Sequence, residues 1–160
     1  MKCLSLWQPW AMLLVSGAKH VETRSWPIQH RGPLLIHAAK KWTRELADLS
    51  NTDPFKVALH EASVRVHDEY WKQVRGMEFG AIIGRVDVVE CFGTDDVVVD
   101  DELAFVYGGG VLAITSTERL FGDYSPKRFA LLCSNQMRFD EPIPYRGTQG
   151  LFEVPGEVLK

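Results

Sequence analysis

The sequence predicts an α+β fold in which a small, closed or nearly closed β-barrel is flanked by helices. Six or seven strand patterns and two to four helix patterns occur, and they do not alternate regularly along the chain, which is typical of this class. Apolar residues make up 46% and charged residues 24% of the 160 residues, so a hydrophobic core is expected. Because no repeat, low-complexity segment or linker is found, residues 1–160 are predicted to form a single domain.

The first elements are a short strand, KCLSL, and a mostly buried helix, PWAMLLVSG. Pro9 suits the first turn of this helix, where the missing N–H group costs nothing, and Gly17 suits its end. HVETRSW then alternates as a second strand. On that strand Val21 and Thr23 are expected on one face, and Glu22 and Arg24 on the other.

The remaining elements follow from runs of apolar residues and from glycine and proline. Pro27 and Gly32-Pro33 bracket a loop, and the acidic stretch 95–102 is predicted as a loop or the start of a helix. The glycines 108–110 are predicted as a tight turn. We expect helices at 43–49 and 55–75, and strands at LLIHAAK, GAIIGRVDVVEC, VLAITS, RFALLCSNQMRF and GTQGLFEV.

Several functional classes are excluded by pattern. No run approaches the roughly 20 apolar residues of a membrane span, and Gln8 and Pro9 interrupt the N-terminal apolar stretch, so a cytoplasmic protein without membrane association is expected. The three cysteines are far apart and form no CxxC pair, which indicates neither disulfides nor zinc. His60 and His67 lack further ligands at metal-binding spacing. No metal and no cofactor is predicted.

Charge is unevenly distributed along the chain, whose net charge is −3. Residues 17–44 carry six Lys or Arg residues against one carboxylate, whereas residues 86–102 carry seven carboxylates and no base. Such asymmetry can create a positive face on an acidic protein, although an ordinary solvated surface explains the charges equally well.

The segment SGAKHVETRSW places three charged side chains, Lys19, Glu22 and Arg24, directly after the first helix. Two residues apart on a strand, Glu22 and Arg24 project from the same face. Lys19 lies at the helix C-terminus, where a cation is favoured. A carboxylate between two cations stays ionised, so the cluster is either a structural salt bridge on a barrel rim or a site for a polar ligand.

At this segment the sequence resembles the ASCH domain, the activating-signal-cointegrator homology family related to PUA domains. The family signature GxKxxExR corresponds to Gly17, Lys19, Glu22 and Arg24, preceded by SLWQPW and followed by IHAAKK and RGTQGLFEV. The resemblance covers nearly the whole chain. It implies a PUA-like β-barrel, a cleft between the barrel and its helices that is lined by the signature residues, and binding of RNA or a nucleotide.

Further candidate ligand-binding residues surround the signature. Trp7 and Trp26 are candidates to stack on a base, whereas Trp10 is expected in the core. Gln8 can present a donor and an acceptor to a base edge. His37 is either a cleft residue or a buried histidine with satisfied hydrogen bonds. Lys40 and the loop residues Tyr124 and Ser125 complete the set, although the loop is equally consistent with a simple proline turn.

Two functions remain open from the sequence. The first is binding of single-stranded RNA or a nucleotide. The second, which the resemblance to the family also implies, is a hydrolase acting on RNA or on a modified nucleoside such as N4-acetylcytidine, with Lys19 and Glu22 as catalytic residues. Similar amidohydrolases of the family use a lysine, a threonine and a glutamate, and Glu22 stands here at the position of that threonine. Thr23 is adjacent but is expected on the opposite face of its strand, which favours binding. The oligomeric state is left open. Phosphate contacts are expected at Arg31, Lys40, Lys41, Lys127 and Arg128.

Overall fold

Ten β-strands and four short α-helices are formed by residues 1–96, 104–107 and 110–159, which are the residues that the computed structural model describes. The predicted turn at 108–109 and most of the acidic stretch 95–102 lie outside them. The strands are β1 (Lys2–Leu6), β2 (Val21–Arg24), β3 (Gly32–Ala38), β4 (Arg65–Val66), β5 (Val74–Arg75), β6 (Ala81–Gly93), β7 (Ala104–Tyr107), β8 (Gly110–Ala113), β9 (Phe129–Pro144) and β10 (Leu151–Glu153). The helices are α1 (Trp10–Val15), α2 (Arg44–Ser50), α3 (Phe55–Glu61) and α4 (Ser116–Leu120), with 3₁₀ turns at Thr94–Asp96 and Gly156–Leu159.

The main sheet has six strands in the order β10-β1-β3-β6-β9-β2. Strands β1 and β3 are parallel, and the other neighbours are antiparallel. The long strands β6 and β9 pair through three register shifts, and such bulges bend a sheet. Because of this curvature the two edges approach each other: a Cβ at Gly150, before β10, would lie 3.7 Å from Trp26, just after β2. The result is a half-barrel, and the predicted α+β fold is confirmed.

Helix α1 lies over this sheet and forms the centre of the core. All five residues from Ala11 to Val15 are buried, and the helix packs against β3, β6 and β9. Gly17 follows the end of α1, as expected. Its φ of +81° lies in the left-handed region, which costs glycine little energy. The sheet approaches α1 closely at Gly84 of β6, where a Cβ would lie 2.8 Å from Val15 Cγ1 and would also collide with the carbonyl oxygen of Met137.

The predicted helix over 55–75 is wrong beyond its first two turns. Helix α3 ends at Glu61, and Ser63 has a φ of +62°, which a right-handed helix does not allow. The chain then forms the hairpin β4–β5, in which Val66 is paired with Val74 and both pack against the core. The apolar residues that were predicted to form one helical face therefore belong to helix α3 and to the β4–β5 hairpin, which contact the core separately.

The helices of the described residues are short. They span five to seven residues, and none of them is long and apolar enough to cross a membrane. The described part of the chain contains no cluster of three His, Cys, Asp or Glu side chains able to hold a metal ion. Cys3, Cys91 and Cys133 are free thiols.

The close approach of α1 to β6 predicts that Gly84→Ala destabilises the fold by about 1–3 kcal/mol, the usual cost of adding a methyl group where there is no space for it. Gly156→Ala is the matched control, because a Cβ there meets no atom within 4 Å and the φ is ordinary. Urea unfolding of both variants gives the two free energies. Equal free energies of unfolding for the two variants would show that the space between α1 and β6 at Gly84 admits a methyl group.

Candidate functional site

A cleft of about 540 Å³ opens where the two edges of the curled sheet approach each other. One wall is formed by the end of β1 and the start of α1, another by the end of β2, and a third by the loop between α4 and β9. The cleft combines aromatic and charged side chains. Among its lining residues are Trp7, Trp10, Glu22, Arg24, Trp26 and Arg128.

Glu22 and Arg24 lie side by side in this cleft. Strand β2 gives them the same direction, as their spacing on a strand predicted. The Arg24 Nη1 atom is 3.5 Å from Glu22 Oε1, and the Glu22 side chain is only 10% exposed. A guanidinium donor and a carboxylate acceptor are therefore presented together to the cleft.

Lys19 lies beneath the cleft and does not line it. Its side chain is fully buried, and Nζ donates a hydrogen bond to the carbonyl oxygen of Val21. Nζ is also 3.5 Å from Glu22 Oε2. The turn after α1 fixes this position, because the Lys19 backbone N–H donates to the carbonyl oxygen of Leu13. Lys19 thus compensates the buried Glu22 carboxylate from below.

The start of β2 is held by Glu118, a residue that the sequence analysis missed. One carboxylate of Glu118 accepts from the backbone N–H groups of His20, at 3.0 and 3.1 Å, and of Val21, at 2.9 Å. Glu118 belongs to α4, whose N-cap Thr115 accepts from the Glu118 N–H. The sequence signal is TSTE at 115–118, a capping-box pattern. Here the carboxylate binds a neighbouring strand instead of its own helix end.

Arg24 has unused hydrogen-bonding capacity. Its Nε atom is buried and has no partner among the described residues. Burial lowers the pKa of Arg24 and nearby Arg128 lowers it further, whereas Glu22 raises it. Arg128 is held by Asp123, because its Nε donates to the Asp123 backbone carbonyl at 3.0 Å and lies 3.2 Å from Oδ2. Two guanidinium groups therefore share the cleft with two carboxylates.

The aromatic wall has one exposed indole and two partly buried ones. Trp7 is 48% exposed, and Lys41 Nζ lies 3.6 Å from the centre of its ring. Arg24 Cζ lies 4.6 Å from the ring centre of Trp26. Trp10 packs against the core, as expected, but it also borders the cleft. Both predicted stacking candidates are therefore at the cleft, and each already has a cation on its ring.

Gln8 lies apart from the cleft and is fully buried. Its Nε2 donates to the carbonyl oxygen of Glu78 at 2.9 Å, and its Oε1 accepts from the Met12 N–H at 3.0 Å. The amide thus joins the first turn of α1 to the segment before β6. With both ends of the amide committed, Gln8 has a structural role at this position.

Tyr124 and Ser125 lie in the loop beside the cleft without lining it. Tyr124 packs against the apolar cluster around Val21, and its hydroxyl is buried and unpaired among the described residues. Burial raises the pKa of Tyr124, and Glu118 adds to the effect. Ser125 is exposed, and its N–H donates to Asp123 Oδ1 at 3.0 Å.

His37 and Lys40 lie at a second cavity of about 730 Å³. His37 is a buried histidine with satisfied hydrogen bonds, one of the two alternatives considered for it. Its Nδ1 is 2.9 Å from Ser5 Oγ, and its Nε2 is 3.1 Å from the carbonyl oxygen of Tyr145. Ser5 borders both cavities. Of the candidate residues, Trp7, Glu22, Arg24 and Trp26 therefore line the cleft, and His37 and Lys40 line the second cavity.

Thr23 also borders the cleft, although its strand position predicted the face opposite to Glu22. Its hydroxyl oxygen accepts a hydrogen bond from the Asp123 N–H at 2.9 Å. The hydroxyl therefore anchors the loop between α4 and β9 to β2. This contact between distant segments has no local sequence signal.

A curled mixed sheet with short flanking helices defines the chain as a PUA-like α+β domain. The family model of the ASCH domain matches residues 4–138, and the chain belongs to the ASCH domain family. The resemblance found in the sequence is thus confirmed.

Related proteins agree with this assignment. Activating signal cointegrator 1 of Homo sapiens is 41% identical over 161 residues, and that of Mus musculus is 33% identical over 161 residues. Each alignment covers 98% of this chain, which spans only 22% of the length of each relative. The crystal structure of a mutant of the ZmASCH protein from Zymomonas mobilis superimposes with a TM-score of 0.51 at 18% identity, covering 99% of this chain and 92% of that one. That similarity supports the fold.

The buried contact between Lys19 and Glu22 predicts non-additive effects on stability. Lys19→Met removes the buried cation beside the Glu22 carboxylate and should lower the free energy of unfolding by about 3 kcal/mol. This value is at the lower end of the range for breaking a buried ion pair, because Arg24 still contacts Glu22. Glu22→Gln should cost about 1–3 kcal/mol. The double variant should be more stable than the sum predicts, by about 0.5–3 kcal/mol. Urea unfolding measures the cycle, and strict additivity would show that the two groups do not interact.

Proposed function

We propose that this chain binds single-stranded RNA or a nucleotide, with one base held in the cleft formed by Glu22, Arg24 and the tryptophans. PUA-like folds are often linked to RNA binding, and membership of the ASCH family is consistent with that role. The observation that carries the proposal is the pairing of a guanidinium donor and a carboxylate acceptor in a cleft bordered by indole rings.

This pair suits the edge of a nucleobase. A base edge presents hydrogen-bond donors and acceptors next to each other, so a site with only cations would pair with its acceptors and leave its donors unpaired. Glu22 accepts from an amino or imino group, while Arg24 donates to a carbonyl or ring nitrogen. Lys19 supports this arrangement, because its buried Nζ lies 3.5 Å from Glu22 Oε2 and holds the carboxylate in position.

The indoles supply the faces on which a base stacks. Trp7 is exposed at the cleft, and stacking on an aromatic ring contributes about 1–3 kcal/mol per base. In the free protein the Trp7 ring is covered by the Lys41 ammonium. A base on that face displaces Lys41, which is then free to contact a phosphate.

Arg128 is the cleft residue best suited to contact the phosphate of the bound nucleotide. Asp123 engages its Nε, and no contact engages its terminal nitrogens among the described residues. Arg31 is less available, because it pairs with Glu90 and donates to two backbone carbonyls. The phosphate contacts of this proposal are therefore Arg128 and the released Lys41.

A hydrolase is the second function considered from the sequence. Its chemistry requires Lys19 to exchange a proton with the substrate, which needs hydrogen-bond reach between the two. The Lys19 side chain is fully buried, and its Nζ donates to a backbone carbonyl oxygen. Binding in the cleft therefore leaves the buried Lys19 in place and moves the Lys41 side chain, whereas catalysis by Lys19 requires its Nζ to leave the protein interior.

The proposed role of the charged pair predicts that Arg24→Gln and Glu22→Gln each weaken RNA binding by about 1–3 kcal/mol, the cost of losing a charge-assisted hydrogen bond. Fluorescence anisotropy with a labelled random hexanucleotide RNA measures the affinity. The exposed Arg75, which lines neither cavity, supplies the control Arg75→Gln. An equal loss in Arg75→Gln would show that net charge alone is responsible.

Catalysis is tested with the same variants. We expect the native protein to leave N4-acetylcytidine and short single-stranded RNA unchanged when products are followed by chromatography. Turnover of either substrate that falls about a hundredfold or more in Glu22→Gln, with binding retained, would identify an enzyme in place of a binding protein.

A further inference from the structure

The second cavity carries a different set of charges from the cleft. It has a volume of about 730 Å³, and two of its lining residues, Lys40 and Arg146, are cations. Both side chains are exposed, and neither makes an ion pair or hydrogen bond within the part of the chain that the structure describes. No Asp or Glu side chain is among the described residues that line it. The cavity therefore offers uncompensated positive charge.

Its floor is neutral and held in place by hydrogen bonds. The Tyr145 carbonyl can only accept, so His37 Nε2 carries the proton and Nδ1 accepts from the Ser5 hydroxyl. Burial lowers the pKa of His37, which agrees with an uncharged ring. The floor thus contributes no positive charge, and the cations at the rim are the groups that attract an anion.

Two glycines shape this cavity. A Cβ at Gly147 would lie 2.7 Å from Ser5 Oγ, and a Cβ at Gly80 would lie 2.8 Å from Lys40 Cγ. The stem of Lys40 therefore packs on the backbone of Gly80, which limits the positions of its ammonium. Ordering a cation before the ligand arrives reduces the entropy lost on binding.

The two cavities adjoin at Ser5, which borders both. Tyr145 lines the second cavity, and its ring is stacked on Phe152 with an interplanar angle of 12°. A polymer that leaves the cleft at Ser5 thus meets two cations and an oriented aromatic ring. Cations and an aromatic ring are the groups that bind the backbone and bases of single-stranded nucleic acid.

We propose that the second cavity binds the phosphodiester of the nucleotide next to the one held in the cleft, so that single-stranded RNA runs across Ser5 from one cavity to the other. Lys40 and Arg146 contact the phosphate, and Tyr145 contacts the adjacent base. This inference rests on the proposed function, and it adds a second subsite and the path of the strand.

The test compares ligands of increasing length. Nucleoside 5′-monophosphates and pooled 5′-phosphorylated dinucleotides compete with a fluorescein-labelled random hexanucleotide, and anisotropy gives their affinities. We expect the dinucleotides to bind at least about fivefold more tightly than the monophosphates, because a second phosphate is neutralised. Arg146→Ala should remove most of this advantage while leaving monophosphate affinity within about twofold.

A second variant and a matched control separate this site from general electrostatics. Lys40→Ala/Arg146→Ala should reduce the slope of log affinity against log salt for the hexanucleotide by about 0.7 for each lost contact, the value for single strands. Lys56→Ala/Arg75→Ala removes the same charge from positions that line neither cavity, and its slope and length dependence should match the native protein. Circular dichroism confirms that each variant is folded.

Each alternative outcome overturns a defined statement. A dinucleotide advantage that survives in Arg146→Ala and in the double variant removes the second cavity from the RNA path, while the cleft proposal stands if Arg24→Gln still weakens binding. Equal losses in the matched control assign the effect to net charge and also overturn the subsite. If the hexanucleotide does not bind the native protein, the proposed function fails, and the subsite fails with it.

Discussion

The site depends on how the backbone at the start of β2 is satisfied. Strand β2 is an edge strand of the main sheet: among the described residues it pairs with β9 on one side and with no strand on the other. Glu118 accepts the N–H groups of His20 and Val21, and Lys19 donates to the carbonyl oxygen of Val21. Charged side chains thus pair backbone groups of His20 and Val21 that a neighbouring strand would otherwise pair. An open edge is what leaves room for the cleft.

The same contacts place charge where it matters for the ligand. Lys19 is fully buried next to the beginning of β2, and its Nζ lies 3.5 Å from Glu22 Oε2, so it holds the carboxylate from the protein side. Glu22 then faces Arg24 and the cleft. Structural and functional explanations of this cluster, which the sequence left as alternatives, are therefore compatible: the salt bridge orders the side chains that the cleft presents.

Features determined by local geometry were predictable from the sequence. The shared direction of Glu22 and Arg24 follows from strand periodicity, and the end of the first helix near Gly17 follows from the conformational freedom of glycine. Features determined by distant partners were not. Gln8 is buried because the segment around Glu78 returns to it, and the predicted helix over 55–75 breaks because Ser63 and a hairpin allow Val66 and Val74 to reach the core. Glu118 lies in a recognisable capping pattern, but the pattern does not predict its contact with β2, because the two are separated by about a hundred residues in the sequence.

The two cavities differ in a way that divides recognition between them. In the cleft, each of the guanidinium groups of Arg24 and Arg128 has a carboxylate beside it. Donors and acceptors therefore alternate, and a simple anion gains little binding free energy there. In the second cavity Lys40 and Arg146 have no carboxylate beside them among the lining residues, so an anion gains more binding free energy there. Contacts to phosphates position a nucleic acid, whereas contacts to base edges give specificity. In the proposed function, Glu22 and Arg24 would therefore select the base, and the second cavity would position the strand without selecting its sequence. The proposed RNA path is compatible with the net charge of −3, because that charge is an average and Lys40 and Arg146 lie at one cavity that no described carboxylate lines.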